Sequence, residues 1–141
     1  MATLKSVPKP PRQLTEQATA FIRGEVTFTD TTTPVYIGSF GSATGKGLVN
    51  KATSGAYIAE TFNAVTTNQI QIGTLDAAGA FQATFGSALD ATTKDFVPLD
   101  VADNLEITAV TDVYALANLV GGSESQGRAI VIMEFSAETV V

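Results

Sequence analysis

Ile70-Gln71-Ile72-Gly73-Thr74-Leu75-Asp76-Ala77-Ala78-Gly79-Ala80-Phe81-Gln82-Ala83-Thr84-Phe85 is the stretch whose reading decides the fold class. Ile70 and Ile72 alternate with Gln69 and Gln71. After Asp76-Ala77-Ala78-Gly79 the alternation resumes, with Phe81, Ala83 and Phe85 set against Gln82 and Thr84. A period of two places the apolar members on one face of a pleat and the amides and hydroxyls on the other. Asp and Gly at the break are residues that reverse a chain. The stretch therefore predicts a β-hairpin.

The same texture extends in both directions. Upstream, Ile22, Val26 and Phe28 point one way and Arg23, Glu25, Thr27 and Thr29 the other, which predicts a half-buried strand; Pro34 then allows only a turn or an edge. Val35 to Phe40 is apolar on both faces, as is the stretch through Ala56, Tyr57, Ile58 and Phe62, and both are expected as central strands. Downstream of Pro98, Leu105, Ile107 and Ala109 alternate with Glu106 and Thr108. Val113 to Val120 fits a strand, and also one face of a two-turn helix through Val113, Leu116, Ala117 and Val120. Strand is preferred, because the Gly121 to Gly127 loop leads into the most β-prone run in the chain, Ala129-Ile130-Val131-Ile132-Met133-Glu134-Phe135, so that a hairpin with a long tip accounts for both flanks. About eight short strands without helices between them predict an all-β fold, an antiparallel β-sandwich or jelly roll. Threonine is frequent because a β-branched hydroxyl residue suits a solvated pleat.

With 141 residues the chain is expected to form one domain over residues 19–141, preceded by an arm over residues 1–18. Pro8, Pro10 and Pro11 remove backbone donors and bias their neighbours towards extended conformations. Lys5, Lys9 and Arg12 give the first fifteen residues a charge of +3, which leaves −9 on the rest of a chain whose net charge is −6. An acidic body with a short basic arm argues against nucleic acid as a partner, because that needs several phosphate contacts on one basic face. No apolar run approaches the ~20 residues that cross a bilayer as a helix, and no signal-peptide core precedes Gln13, so a soluble protein with no membrane partner is expected.

Composition narrows the chemistry further. The chain has no Cys and no His, which excludes thiol nucleophiles, thiolate and imidazole zinc sites, and Ser-His-Asp triads. Charged residues are only 16%, against 45% hydrophobic, so the surface must be covered by small polar residues or by another subunit.

Several stretches resemble sites. Gly38-Ser39-Phe40-Gly41-Ser42-Ala43-Thr44-Gly45-Lys46-Gly47 suggests a phosphate loop, but Phe40 stands where the first Gly should be and Gly47 where Ser or Thr should hold magnesium. A loop between two strands, with Lys46 at its solvated tip, is the better reading. Asp90, Asp95, Asp100, Asp103, Glu106 and Asp112, offset only by Lys94, form an acidic region whose spacing matches no EF-hand; they read as solvated turn residues. Glu60 and Glu134 could serve glycoside hydrolysis only if the fold set them 5 to 10 Å apart. Tyr36, Tyr57 and Tyr114 could line a sugar platform, although Trp is absent. No catalytic, cofactor or metal residues are assigned.

The runs Ile70 to Phe81, Asn104-Leu105-Glu106-Ile107-Thr108-Ala109 and Gly127-Arg128-Ala129-Ile130-Val131-Ile132-Met133-Glu134-Phe135 together resemble small virion structural proteins of tailed bacteriophages. The resemblance covers about the last half of the chain. It implies an I-x-I-G strand leading into an Asp-containing turn, and a final G-R-x-x-V-x-x-E-F/Y strand closing the β-domain. Within that group the size and the proline-containing arm are most similar to capsid decoration, or cement, proteins. The resemblance implies a non-enzymatic protein, made in the bacterial host cytoplasm, that sits on the capsid exterior with the major capsid protein as partner. The body is expected to form a homo-oligomer, a trimer, through its low-charge faces. Lys5, Pro8, Lys9, Pro10, Pro11 and Arg12 are the expected capsid-binding residues. The alternative is a tail or fibre module that binds host glycans.

Overall fold

The computed structural model describes residues 19–40 and 47–137. Among the described residues there are ten strands and no helix: β1 (Thr19–Thr27), β2 (Val35–Phe40), β3 (Gly47–Val49), β4 (Gly55–Glu60), β5 (Thr67–Leu75), β6 (Phe81–Asp90), β7 (Phe96–Pro98), β8 (Leu105–Ile107), β9 (Thr111–Val120) and β10 (Arg128–Ala137). They form two antiparallel sheets of six and four strands, packed as a β-sandwich over one core.

The β-prone run near the C-terminus is the hub of the larger sheet. Along one edge β10 pairs with β1 from Thr19↔Ser136 to Thr27↔Arg128. Its other edge is shared, by β4 over Arg128 to Ile132 and by β3 over Phe135 to Ala137, with β7 outside β4 and β8 outside β3. The changeover leaves a gap in the ladder at Glu134. Ser54, the one buried polar side chain among the described residues, fills it: its Oγ accepts the Glu134 N–H at 2.8 Å, and the Asn50 N–H donates to the Glu134 carbonyl at 3.1 Å. A buried backbone donor must find an acceptor, and here a hydroxyl stands in for a strand.

The smaller sheet runs β2-β9-β5-β6. The alternation that predicted the hairpin is realised in β5 and β6, with Ile70, Ile72, Phe85 and Leu89 buried. Asp76 builds the turn: its Oδ1 accepts the N–H groups of Ala78 at 2.9 Å and Ala80 at 2.8 Å, while Gly79 takes φ +89°. In β9, Val113, Ala115 and Ala117 point inward and are fully buried, which is strand periodicity and settles the helix alternative. Across the core Phe40 stacks on Phe135 at 5.1 Å and meets Phe85 edge-on at 6.3 Å, joining the two sheets through aromatic rings.

Three expectations need correction. β2 is an edge strand, paired only with β9, and its outward Tyr36 is 55% exposed; apolarity on both faces here reflects a side chain left on the outer surface, not a central position. β9 and β10 do not form a hairpin. They lie in different sheets, and Gly121 to Gly127 carries the chain across the sandwich, with left-handed φ at Gly121, Gly122, Ser123 and Gly127. The strand after Pro98 is only Leu105–Ile107, and Ala109 is exposed beyond its end.

Candidate functional site

The expected capsid-binding residues Lys5, Pro8, Lys9, Pro10, Pro11 and Arg12 lie outside the described residues, as does Lys46. What flanks Lys46 is informative. Gly38, Ser39 and Phe40 belong to β2 in one sheet, Gly47 opens β3 in the other, and Phe40 is a core residue. The segment connects strand to strand, whereas a phosphate loop opens a helix.

The acidic side chains are spread over turns and strands, with Asp90 at the end of β6, Glu106 in β8 and Asp112 in β9, which corrects the reading of all of them as turn residues. Asp90 accepts the N–H and hydroxyl of Thr92, and Asp95 accepts the N–H of Phe96. Asp103 and Asp112 are exposed, and no group of three or more acidic side chains that could hold a metal is present among the described residues. Asp100 has the most built surroundings. Ser87 and Ala88 form a bulge in β6, since Leu89 pairs with Ile70 but Gly86 with Ile72, and their N–H groups have no partner in β5. Asp100 accepts both at 2.9 Å, together with the Ser87 hydroxyl at 3.0 Å. Partial burial pushes its pKa up, but these hydrogen bonds to the carboxylate outweigh that and hold it below the ordinary value. The arrangement gives acceptors to the two amides that the bulge leaves without strand partners.

Glu60 and Glu134 do not form a pair. Glu60 stands opposite Arg128, and Glu134 lies six residues further along β10, about 20 Å away at the rise of a strand. Their carboxylates serve local structure: Glu60 accepts the Gly127 N–H at 3.2 Å, and Glu134 accepts the Thr53 hydroxyl. The tyrosines divide between the two sheets. Tyr36 and Tyr114 are register partners on the outer face of the smaller sheet, ring centroids 5.5 Å apart and edge-to-face, whereas Tyr57 lies on the outer face of the larger one. A platform of all three is therefore ruled out. Beside Tyr114 a shallow cleft of about 350 Å³ is lined by Thr74, Thr111 and Asp112.

The most distinctive surface lies elsewhere, on the outer face of the six-stranded sheet. Strand alternation turns Ala129, Val131, Met133 and Phe135 inward, and so turns Ile130, Ile132 and Glu134 outward. Register then builds rows across the strands: Phe96, Tyr57, Ile130 and Glu25 in one, Gly55, Ile132 and Arg23 in the next, then Glu134 beside Phe21. Phe21 is 63% exposed, Leu48 46% and Tyr57 43%. Charge on this face comes from Arg23, Glu134, Glu106 beside Leu48, and the Arg128–Glu25 pair at 3.0 Å. Apolar side chains gathered on one face mark a contact surface, since scattered ones would need no explanation. Sequence reading assigned none of Phe21, Leu48, Ile130 or Ile132 to a site. The signal was present: in a two-layer sandwich, a strand apolar on both faces must present one of them outward.

No known family, curated protein or solved structure matches the chain.

Proposed function

We propose that this chain is a non-enzymatic virion structural protein that binds the assembled capsid of a tailed bacteriophage and stabilises it, as a decoration protein does. The observation that carries this reading is the apolar outer face of the six-stranded sheet, a surface suited to adhesion. The motifs of the last half of the chain, the low charge content and the basic proline-containing arm support it. The physical mechanism is linkage. A protein that binds only the assembled lattice stabilises that lattice by its binding free energy, and repeated attachment multiplies the effect through avidity. In this reading Lys5, Lys9 and Arg12 meet acidic patches on the shell, and Pro8, Pro10 and Pro11 keep the arm extended. The test is co-sedimentation of the full chain with capsids. Removal of residues 1–18 is expected to abolish attachment and leave a folded domain, and unchanged attachment would count against the arm.

A second reading, a tail or fibre module for host glycans, draws on the Tyr36–Tyr114 pair beside the cleft with Asp112 and two threonine hydroxyls. Aromatic faces pack on sugar C–H groups, and carboxylates accept from sugar hydroxyls. Binding of the isolated protein to a glycan array, lost in Tyr114→Ala, would favour it.

A further inference from the structure

The two outer faces of the sandwich are finished differently. The smaller sheet presents Gln69, Gln71 and Asn118, tied to one another and to the backbone by Asn118 Nδ2 donating to Gln69 Oε1 and Gln71 Nε2 donating to the Ser87 carbonyl, each at 3.0 Å, and its outward apolar side chains include Tyr36 and Tyr114, packed on each other, and Val120 at the end of β9. The larger sheet presents Phe21, Tyr57, Ile130 and Ile132 with nothing among the described residues packed over them. We propose that this face is the contact between two copies of the chain, packed sheet against sheet. The proposal deepens the virion reading by naming the surface of self-association, and rests on that reading only for the need to assemble.

Area and charge both favour a second copy as the occupant. The six strands of the sheet hold 34 residues, each covering about 3.4 by 4.8 Å, which offers about 550 Å² per copy and about 1,100 Å² for a pair. That clears the about 1,000 Å² a specific interface needs and lies at the small end of the range. Arg23 projects from this face opposite Ile132 and makes no hydrogen bond or ion pair among the described residues. Glu134, on the same face, accepts the Thr53 hydroxyl and meets no cation there. One copy thus carries both halves of an ion pair it does not form, which a self-complementary contact uses twice. A two-fold axis along β10 lays β1 of one copy over β4 of the other. Arg23 then lies over the strip that Gly55 leaves without a side chain, one step along β10 from the second copy's Glu134, and Phe21 lies level with that Glu134. Stacked sheets of this kind pack about 10 Å apart with side chains interdigitated.

Light scattering on the full chain tests this. The expected mass is twice the 14.6 kDa of one copy. Phe21→Glu is expected to weaken pairing by about 30-fold or more, with circular dichroism unchanged because the side chain is exposed and with the concentration dependence of the melting temperature lost. Arg23→Glu is expected to weaken pairing as well, and the double variant Arg23→Glu with Glu134→Arg to restore it, a rescue that no foreign partner produces. A mass of one copy or of three overturns the proposal. So does pairing indifferent to Phe21→Glu, failure of the double variant to restore it, or dissociation caused by deleting residues 1–18 and by none of the face variants. Co-sedimentation separates the two readings. Paired protein that ignores capsids sinks the virion role alone, and single copies bound to capsids sink the pairing alone.

Discussion

The carbonyl oxygen of Gln82 lies 1.7 Å from the place where a Cβ on Gly73 would stand. Between Ile72↔Gly86 and Thr74↔Gln82 the register of β5 and β6 slips, and the extra residues of β6 press its backbone onto β5 at the position without a side chain. Backbone cannot rotate away as a side-chain tip can. Gly73→Ala is therefore expected to cost about 3 kcal/mol or more. Gly79→Ala, with open space around it and only its φ of +89° to maintain, is expected to cost about 1 to 2 kcal/mol. Chemical denaturation of both variants checks the order.

Ser54→Ala removes the acceptor of the Glu134 N–H where β4 gives way to β3. The expected loss is about 1 to 3 kcal/mol, the cost of leaving a buried donor unpaired. Hydrogen exchange is expected to quicken at the Glu134 amide before it quickens elsewhere in β10, and uniform protection along the strand would contradict the role assigned to the hydroxyl.

Asp100 stabilises the fold only as a carboxylate. Its pKa is held below the ordinary value in the folded chain, so its contribution is complete above about pH 4, the unfolded value, and is lost as the pH falls through the lower folded one. Asp100→Asn is expected to be less stable than the unsubstituted chain at neutral pH and to lose less on acidification, so that the two melting curves converge in acid. A constant difference down to the lowest pH would show that ionisation of Asp100 plays no part.

Asp76→Ala deletes the acceptor of two turn amides, Ala78 and Ala80, and is expected to cost about 1 to 2 kcal/mol. Asp76→Asn keeps an acceptor oxygen and is expected to recover most of that stability. Thermal unfolding of the two variants separates turn geometry from charge.

Much of the architecture could be read from residue order because strand alternation is local. The period of two in Gln69 to Ile72 and in Phe81 to Phe85 is produced by the pleat itself, and Asp76 and Gly79 mark the turn through their own backbone preferences. Neither depends on distant parts of the chain. Membership of a sheet is different. Val35 to Phe40 and Ala56 to Ile58 are both apolar on two faces, yet β2 is an edge strand and β4 lies between β7 and β10. Only the pairing partners, dozens of residues away, distinguish them. The same limit explains β9 and β10, adjacent in sequence but placed in opposite sheets because the chain after Gly121 crosses the sandwich where a hairpin would have turned back.

Residue order alone determined the all-β class, the inward sets of β1, β5 and β6, the turn at Asp76, and the absence of thiol and imidazole chemistry, since each follows from composition or from neighbours a few positions apart. The tertiary structure decided which outward residues stand together. Phe21, Tyr57 and Ile132 become one surface because β1 and β4 both pair with β10, and Glu60 and Glu134 are kept apart because the same strand separates them. A surface is a set of non-local distances, and those exist only once hydrogen-bond register has aligned strands distant in the chain.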